Sequence, residues 1–157
     1  NYNKVVSSVQ SYYGNTPQTI ALTNYTTGKE VQISARVPAN DLVDLSGSYK
    51  SRIAPNTSYP YINKEAVNYV DNILTDFGVT ITGGFRGEVT HFGLKESSKN
   101  SLHKYGFALD FRADTIGEEF YNEVSTNPEL LQKYGIVSIL KHGDPLHVHV
   151  EFNPSLV

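Results

Sequence analysis

The sequence predicts an α+β fold in which helices pack on a small, mostly antiparallel sheet. Residues 63–74 carry apolar side chains at helical spacing, whereas residues 146–152 alternate apolar and polar side chains strictly, as a half-buried strand does. Apolar residues make up 39% and charged residues 18% of the chain, a balance that indicates a folded domain and not a disordered one.

The N-terminal part of the chain predicts short strands separated by turns. Residues 19–22 and 30–34 contain the Val, Ile and Thr that suit a half-buried pleated surface. Clusters of Gly, Pro, Asn and Asp, which favour turns, separate these runs. We predict an N-terminal arm or subdomain of unknown role over residues 1–59 and a main domain over residues 60–157.

The main domain opens with a predicted helix and a predicted strand. The helix covers residues 63–74, with Asn63 at its N-cap position and Gly78 ending it. Residues 79–82, which are Val, Thr, Ile and Thr, then form a strand.

Two further helices and two further strands complete the predicted domain. Helices are expected over residues 117–124 and 128–134. Residues 136–140 are apolar apart from one serine and are predicted to form a buried strand, and residues 146–152 form the alternating strand.

Composition limits the partners and the chemistry. With a net charge of −3 and no apolar run of the roughly 18 residues that a membrane span needs, we expect neither nucleic acid nor membrane as a partner. The absence of cysteine excludes thiolate catalysis, disulfides and cysteine-bound zinc, so a metal site must use His, Asp and Glu. The absence of methionine, even at position 1, leads us to expect a mature product or a domain of a larger polypeptide.

The first candidate motif pairs His103 with Asp110 further along the chain. Two small residues between them, Gly106 and Ala108, allow a close turn into a strand that would bring both side chains to one metal ion. An imidazole nitrogen and a carboxylate oxygen are ligands that zinc takes readily. The competing interpretation is a surface histidine beside an ordinary strand aspartate.

The second candidate motif places His147, His149 and Glu151 on one face of the alternating strand, because side chains two positions apart point the same way. Two imidazoles and a carboxylate suit a metal ligand with catalytic or supporting neighbours. The alternative is the polar outer face of a half-exposed strand.

Other polar residues carry weaker signals. Arg86 follows a predicted strand and two glycines, where its guanidinium can meet a substrate carboxylate or a developing oxyanion. We expect His91 and His142 in exposed loops, and residues 87–100 can flank a cleft and contact substrate.

These motifs resemble those of the D-alanyl-D-alanine metallopeptidase group (peptidase family M15), which includes bacterial carboxypeptidases, dipeptidases and phage endolysins. The zinc-ligand motif of that group is matched at Ser101, His103, Gly106, Ala108 and Asp110. Phe85-Arg86 is similar to the group's Gly-Tyr-Arg segment. The resemblance covers roughly residues 60–152 and implies a hedgehog/DD-peptidase-like fold, with residues 60–157 as a zinc peptidase domain.

The resemblance implies a Zn²⁺ cofactor held by His103, Asp110 and one further histidine. Asp144 followed three positions later by His147 is similar to the group's second motif, which would make His147 the ligand and Asp144 the base. The same segment also resembles the His-x-His motif of the wider superfamily that includes lysostaphin-type peptidases and hedgehog domains. That motif would make His149 the ligand and His147 a catalytic neighbour. We favour His149, because a histidine two positions before the ligand has a recognised role there.

The implied catalytic residues are Asp144 or His147 as the base and Arg86 as the oxyanion donor, with Ser101 and Glu151 supporting the ligands. The implied function is hydrolysis of peptide bonds in peptidoglycan stem or cross-link peptides by a phage-type endopeptidase, either tail-associated or a lysin. A D,D-carboxypeptidase and a zinc-stabilised binding or structural module without turnover are the alternatives. The implied setting is extracellular or virion-associated, within a larger polypeptide or virion assembly.

Overall fold

The computed structural model describes residues 2–87 and 101–154. Its α-helices are α1 (Tyr2–Tyr13), α2 (Ser46–Tyr49), α3 (Val67–Asp76), α4 (Thr115–Val124) and α5 (Pro128–Lys133). Its strands are β1 (Gln18–Thr23), β2 (Glu30–Ala35), β3 (Leu42–Asp44), β4 (Tyr61–Asn63), β5 (Ile81–Gly83), β6 (Ala108–Arg112), β7 (Ile136–His142) and β8 (His147–Phe152). Short 3₁₀ turns cover Ala39–Asp41, Lys50–Arg52, Lys64–Ala66 and Leu102–Tyr105. The predictions for His91 and for residues 88–100 fall outside the described residues.

The strands form antiparallel sheets of two sizes. β1 pairs with β2, and β3 pairs with β4, whereas β5, β6, β8 and β7 form a four-stranded sheet in that order. The fold is therefore α+β with small antiparallel sheets, and the predicted fold class is confirmed.

Helices cover one face of the four-stranded sheet with apolar side chains. Phe111 of β6 packs edge-on against Phe120 of α4, with ring centroids 5.6 Å apart, and Phe120 in turn contacts Phe77. Val148 and Val150 of β8 are fully buried on the same side. Burying each such side chain contributes about 1.5–3 kcal/mol, so this packing determines which face of the sheet remains for polar groups.

Several local predictions are confirmed. β1 and β2 occupy the two predicted N-terminal strands, and β8 keeps its predicted alternation. The predicted helix of residues 63–74 begins with a 3₁₀ turn and continues as α3 to Asp76. The Asn63 side chain accepts a hydrogen bond from the Glu65 backbone N–H, as expected at an N-cap.

The prediction that residues 136–140 form a buried strand is wrong in its burial. β7 is a strand, but its residues are half-buried or exposed, and Leu140 is 50% exposed. The reason is topological, because β7 lies at the edge of the four-stranded sheet and has only β8 as a neighbour.

The N-terminal residues contain a helix that the sequence analysis missed. α1 buries Val5, Val6 and Val9 in the same apolar core as the four-stranded sheet. The remaining residues of α1 are mostly Ser and Tyr, which have modest helix propensity, so contact with the core stabilises this helix. The boundary between residues 59 and 60 stays a prediction, although β3 and β4 pair across it.

A substitution at Gly106 tests the importance of the turn that leads into β6. The Gly106 φ of 82° is left-handed, and an added Cβ would lie 2.8 Å from the Asn63 backbone nitrogen. We expect Gly106→Ala to lower the free energy of unfolding by about 1–3 kcal/mol, measured by urea denaturation. Gly47→Ala is the matched control, because a Cβ there meets nothing within 4 Å and φ is not left-handed. Equal stability of the two variants would contradict this account of the turn.

Candidate metal centre

The register between β6 and β8 creates a polar face on the four-stranded sheet. Asp110 lies directly opposite His149, and Ala108 lies opposite Glu151. Since side chains alternate along a strand, His147 shares this face with His149 and Glu151. The predicted common face of the three β8 side chains is therefore present, and Asp110 joins it from the neighbouring strand.

The chain delivers His103 to this face from a short turn. The Ser101 hydroxyl accepts a hydrogen bond from the His103 backbone N–H at 3.2 Å and caps the 3₁₀ turn. Gly106 then ends the turn in the left-handed conformation and leads the chain into β6. His103 and Asp110 consequently converge, as their spacing around small residues predicts.

The side chains of His103, Asp110 and His149 form one compact cluster. His149 Nδ1 lies 2.9 Å and His103 Nε2 lies 3.4 Å from Asp110 Oδ1, and the two ring nitrogens are 3.2 Å apart. One ligand atom from each residue falls within 4.8 Å of the others, with His103 and Asp110 buried and His149 half-buried. This cluster can hold a metal ion.

Hydrogen bonds on the far side of each ring orient the two imidazoles. His103 Nδ1 donates to the Gly84 carbonyl at 2.8 Å, and His149 Nε2 donates to Glu151 Oε1 at 3.1 Å. The opposite nitrogens, His103 Nε2 and His149 Nδ1, therefore face Asp110. Two imidazole nitrogens and one carboxylate oxygen are a donor set that zinc takes in proteins, so the residues present fit this metal.

Arg86 contacts the cluster from the segment that follows β5. Its Nη2 donates to Asp110 Oδ2 at 2.8 Å, while Oδ1 of the same carboxylate faces the histidines. Burial alone would raise the pKa of Asp110, but hydrogen bonds to His103 and His149 and the Arg86 charge hold it below its usual range. Asp110 is therefore ionised across the physiological range.

The pKa values of the two candidate histidine ligands are shifted in opposite directions in the metal-free protein. Burial lowers the pKa of His103 below its ordinary value. Burial acts on His149 in the same direction, but hydrogen bonds and charges from Asp110 and Glu151 outweigh it and raise the pKa of His149 to about 9. His149 thus carries a proton at neutral pH in the metal-free protein.

His147 lies next to the cluster, but its imidazole is farther from Asp110 than those of His103 and His149. Its Nδ1 donates to the Pro145 carbonyl at 3.2 Å, and its Nε2 lies 3.7 Å from Asp110 Oδ1. The shorter distance of His149 to Asp110 favours His149 as the third ligand. His147 is half-buried and remains accessible to solvent and to a substrate.

Asp144 lies apart from this arrangement. It is exposed in the turn between β7 and β8. Among residues 2–87 and 101–154, no hydrogen bond or ion pair joins its carboxylate to the cluster. The structure therefore brings seven of the eight predicted site residues together and leaves this one in solvent.

Sequence reasoning missed two residues beside the cluster. His142 is exposed as predicted, but it is the last residue of β7 and not a loop residue, and its ring centroid lies 4.9 Å from that of His147. The Tyr2 hydroxyl donates to Glu151 Oε2 at 3.1 Å, and burial together with this carboxylate raises the pKa of Tyr2 to about 12. A hairpin that pairs His142 with His147 could have been predicted from the short turn between them. No local sequence pattern predicts the contact between Tyr2 and Glu151.

Comparison with protein-family models, with curated proteins and with solved structures finds no match for this chain. In the described part of the chain, no helix has the length and apolar character needed to cross a membrane.

Metal binding is expected to release protons and to strengthen as the pH rises. Below its pKa of about 9, His149 holds a proton that the metal must displace. The apparent association constant for Zn²⁺ should rise about tenfold per pH unit from roughly pH 6 to 8, as measured by titration calorimetry in buffers of different ionisation enthalpy. Glu151→Gln removes one carboxylate that raises the pKa of His149. In this variant the rise of Zn²⁺ affinity with pH should therefore level off at a lower pH. Affinity that is constant over this range would show that no proton is displaced.

Proposed function

We propose that this chain is a zinc-dependent peptidase that hydrolyses peptide bonds in bacterial peptidoglycan stem or cross-link peptides. The observation that carries the proposal is the cluster of His103, Asp110 and His149, with His147 and Arg86 beside it. The substrate class comes from the resemblance of the motif around His103 to those of peptidase family M15. Such a substrate lies outside the cytoplasmic membrane, so the proposed place of action is extracellular or virion-associated.

His103 Nε2, Asp110 Oδ1 and His149 Nδ1 would hold the metal. Three protein ligands leave one position of a tetrahedral site open, as in catalytic zinc sites. When bound, zinc supplies a water whose pKa falls from about 16 to about 7 and polarises the scissile carbonyl group. Glu151 and the Gly84 carbonyl keep the two imidazoles in the required tautomers.

His147 would act as the general base. Its Nδ1–H bond to the Pro145 carbonyl leaves the Nε2 lone pair on the side of Asp110, next to the residues that would hold the metal. His147 would take the proton of the attacking water at Nε2 and pass it to the nitrogen of the departing amine. Geometry favours His147 over Asp144 for this role, because the Asp144 carboxylate is exposed in the turn.

Arg86 would stabilise the negative charge that develops on the scissile carbonyl oxygen. Its side chain is 43% exposed, and its Nη2 is held by Asp110 Oδ2, so the guanidinium is both positioned and accessible. Removing one donor of this kind typically costs about 3 kcal/mol of barrier.

Asp110→Ala tests the metal and the reaction together. We expect this variant to lose stoichiometric zinc and all hydrolysis of purified peptidoglycan, because it removes the carboxylate around which both imidazoles gather. Metal analysis measures the first effect. Mass spectrometry of the new peptide ends measures the second and separates an endopeptidase from a D,D-carboxypeptidase. An active Asp110→Ala variant with bound zinc would rule out this centre.

A pair of variants tests the base. His147→Ala should bind zinc normally but lose about 10²–10⁴-fold in kcat, the usual contribution of a general base. Asp144→Asn should keep most of its activity, because its side chain lies in solvent. The reverse outcome would make Asp144 the base. Zinc binding without hydrolysis by the unmodified chain would instead favour a non-catalytic zinc module.

A further inference from the structure

A groove of about 660 Å³ lies beside the candidate metal centre. One wall is the β1–β2 hairpin, and the opposite wall is the segment of residues 82–87. The hairpin belongs to residues 1–59, which the motif resemblance does not cover. The volume is in the range of pockets that bind small ligands and short peptides.

None of the candidate metal ligands lines the groove, but the segment of residues 82–87 lies between the groove and these ligands and contacts them. A Cβ added at Gly83 would lie 2.9 Å from Asp110 Oδ2, and the Gly84 carbonyl accepts the hydrogen bond from His103. Arg86, at the same wall, pairs with Asp110. Three lining residues therefore contact the cluster, so the groove adjoins the candidate metal centre through this shared wall.

The lining favours an uncharged ligand. Among the described lining residues, Arg86 carries the only charge, and it lies at the end nearest the cluster. Val31, Ile33 and Phe85 give the groove apolar surface, and the hydroxyl and amide groups that line it are neutral.

The hairpin also offers a strand edge to the groove. Four consecutive residues of β2, from Val31 to Ser34, line it. β1 pairs with one edge of β2, and in the described part of the chain no strand pairs with the other edge. An antiparallel strand directs alternate N–H and C=O groups to each side, and such an edge binds an extended peptide as an added strand.

We propose that this groove binds the substrate peptide on one side of the cleaved bond, as an extended, uncharged stretch added to the edge of β2 with which no described strand pairs. The identity of the ligand as a peptidoglycan stem peptide rests on the proposed function. The N-terminal hairpin would thereby contribute one wall of the substrate site, next to the candidate metal centre.

Two tryptophan substitutions in the hairpin test this binding site. Ser34 is exposed and lines the groove, whereas Thr23 is exposed on the same hairpin and lies outside the lining. Calorimetry would measure binding of a soluble, uncharged peptide of alanine and glycine to protein treated with a chelator, so that turnover cannot interfere. We expect Ser34→Trp to raise Kd at least about tenfold by filling the groove, and Thr23→Trp to bind as the wild type does.

A substitution on the opposite wall guards against an effect on the hairpin alone. Thr82→Trp should weaken peptide binding as Ser34→Trp does, and both variants should still bind one zinc ion. Equal Kd values for Ser34→Trp and Thr23→Trp, or no binding by the wild type, would overturn the groove proposal. Peptide binding that Ser34→Trp abolishes, without hydrolysis by the zinc-loaded wild type, would overturn the proposed function and support the groove.

Discussion

The pairing of β6 with β8 is the constraint on which the candidate metal centre depends. Its register sets Asp110 across from His149 on one face, while Phe111, Val148 and Val150 lie in the core on the other. A shift of one residue would send every side chain of one strand to the opposite face and would bury polar groups among apolar ones. Core packing on the apolar face therefore stabilises the geometry of the polar face. The positions of Asp110 and His149 thus depend on apolar side chains that lie on the opposite side of the sheet.

Charge balance is the second requirement of this site. A buried carboxylate without partners is costly, yet Asp110 is buried because Arg86 and the imidazoles of His103 and His149 surround it. Glu151 adds a second carboxylate against His149. The two carboxylates that keep a proton on His149 would also favour a metal cation bound to this residue. A proton and a metal cation each add positive charge close to the negative charges of Asp110 and Glu151.

The N-terminal residues contribute to the site from two directions. The Tyr2 hydroxyl of α1 donates a hydrogen bond to Glu151, and Glu151 accepts one from His149. The helix therefore supports the candidate ligand His149 by way of Glu151. The β1–β2 hairpin lies on the other side and walls the groove that reaches Arg86. α1 is held there by Val5, Val6 and Val9 in the shared core. The N-terminal residues, which the motif resemblance does not cover, thus help to form the surroundings of the cluster.

Local patterns in the sequence determined the α+β class, the alternating strand β8 and the convergence of His103 with Asp110. Strand alternation and turn-forming glycines act over a few residues and can be read without a structure. Contacts between distant residues decided the rest, including the helix α1, the exposure of β7 and the approach of His142 to His147. The motif resemblance already favoured His149 over His147 as the third ligand, but both lie on one face of β8, and only the register with β6 decides which imidazole lies nearer Asp110.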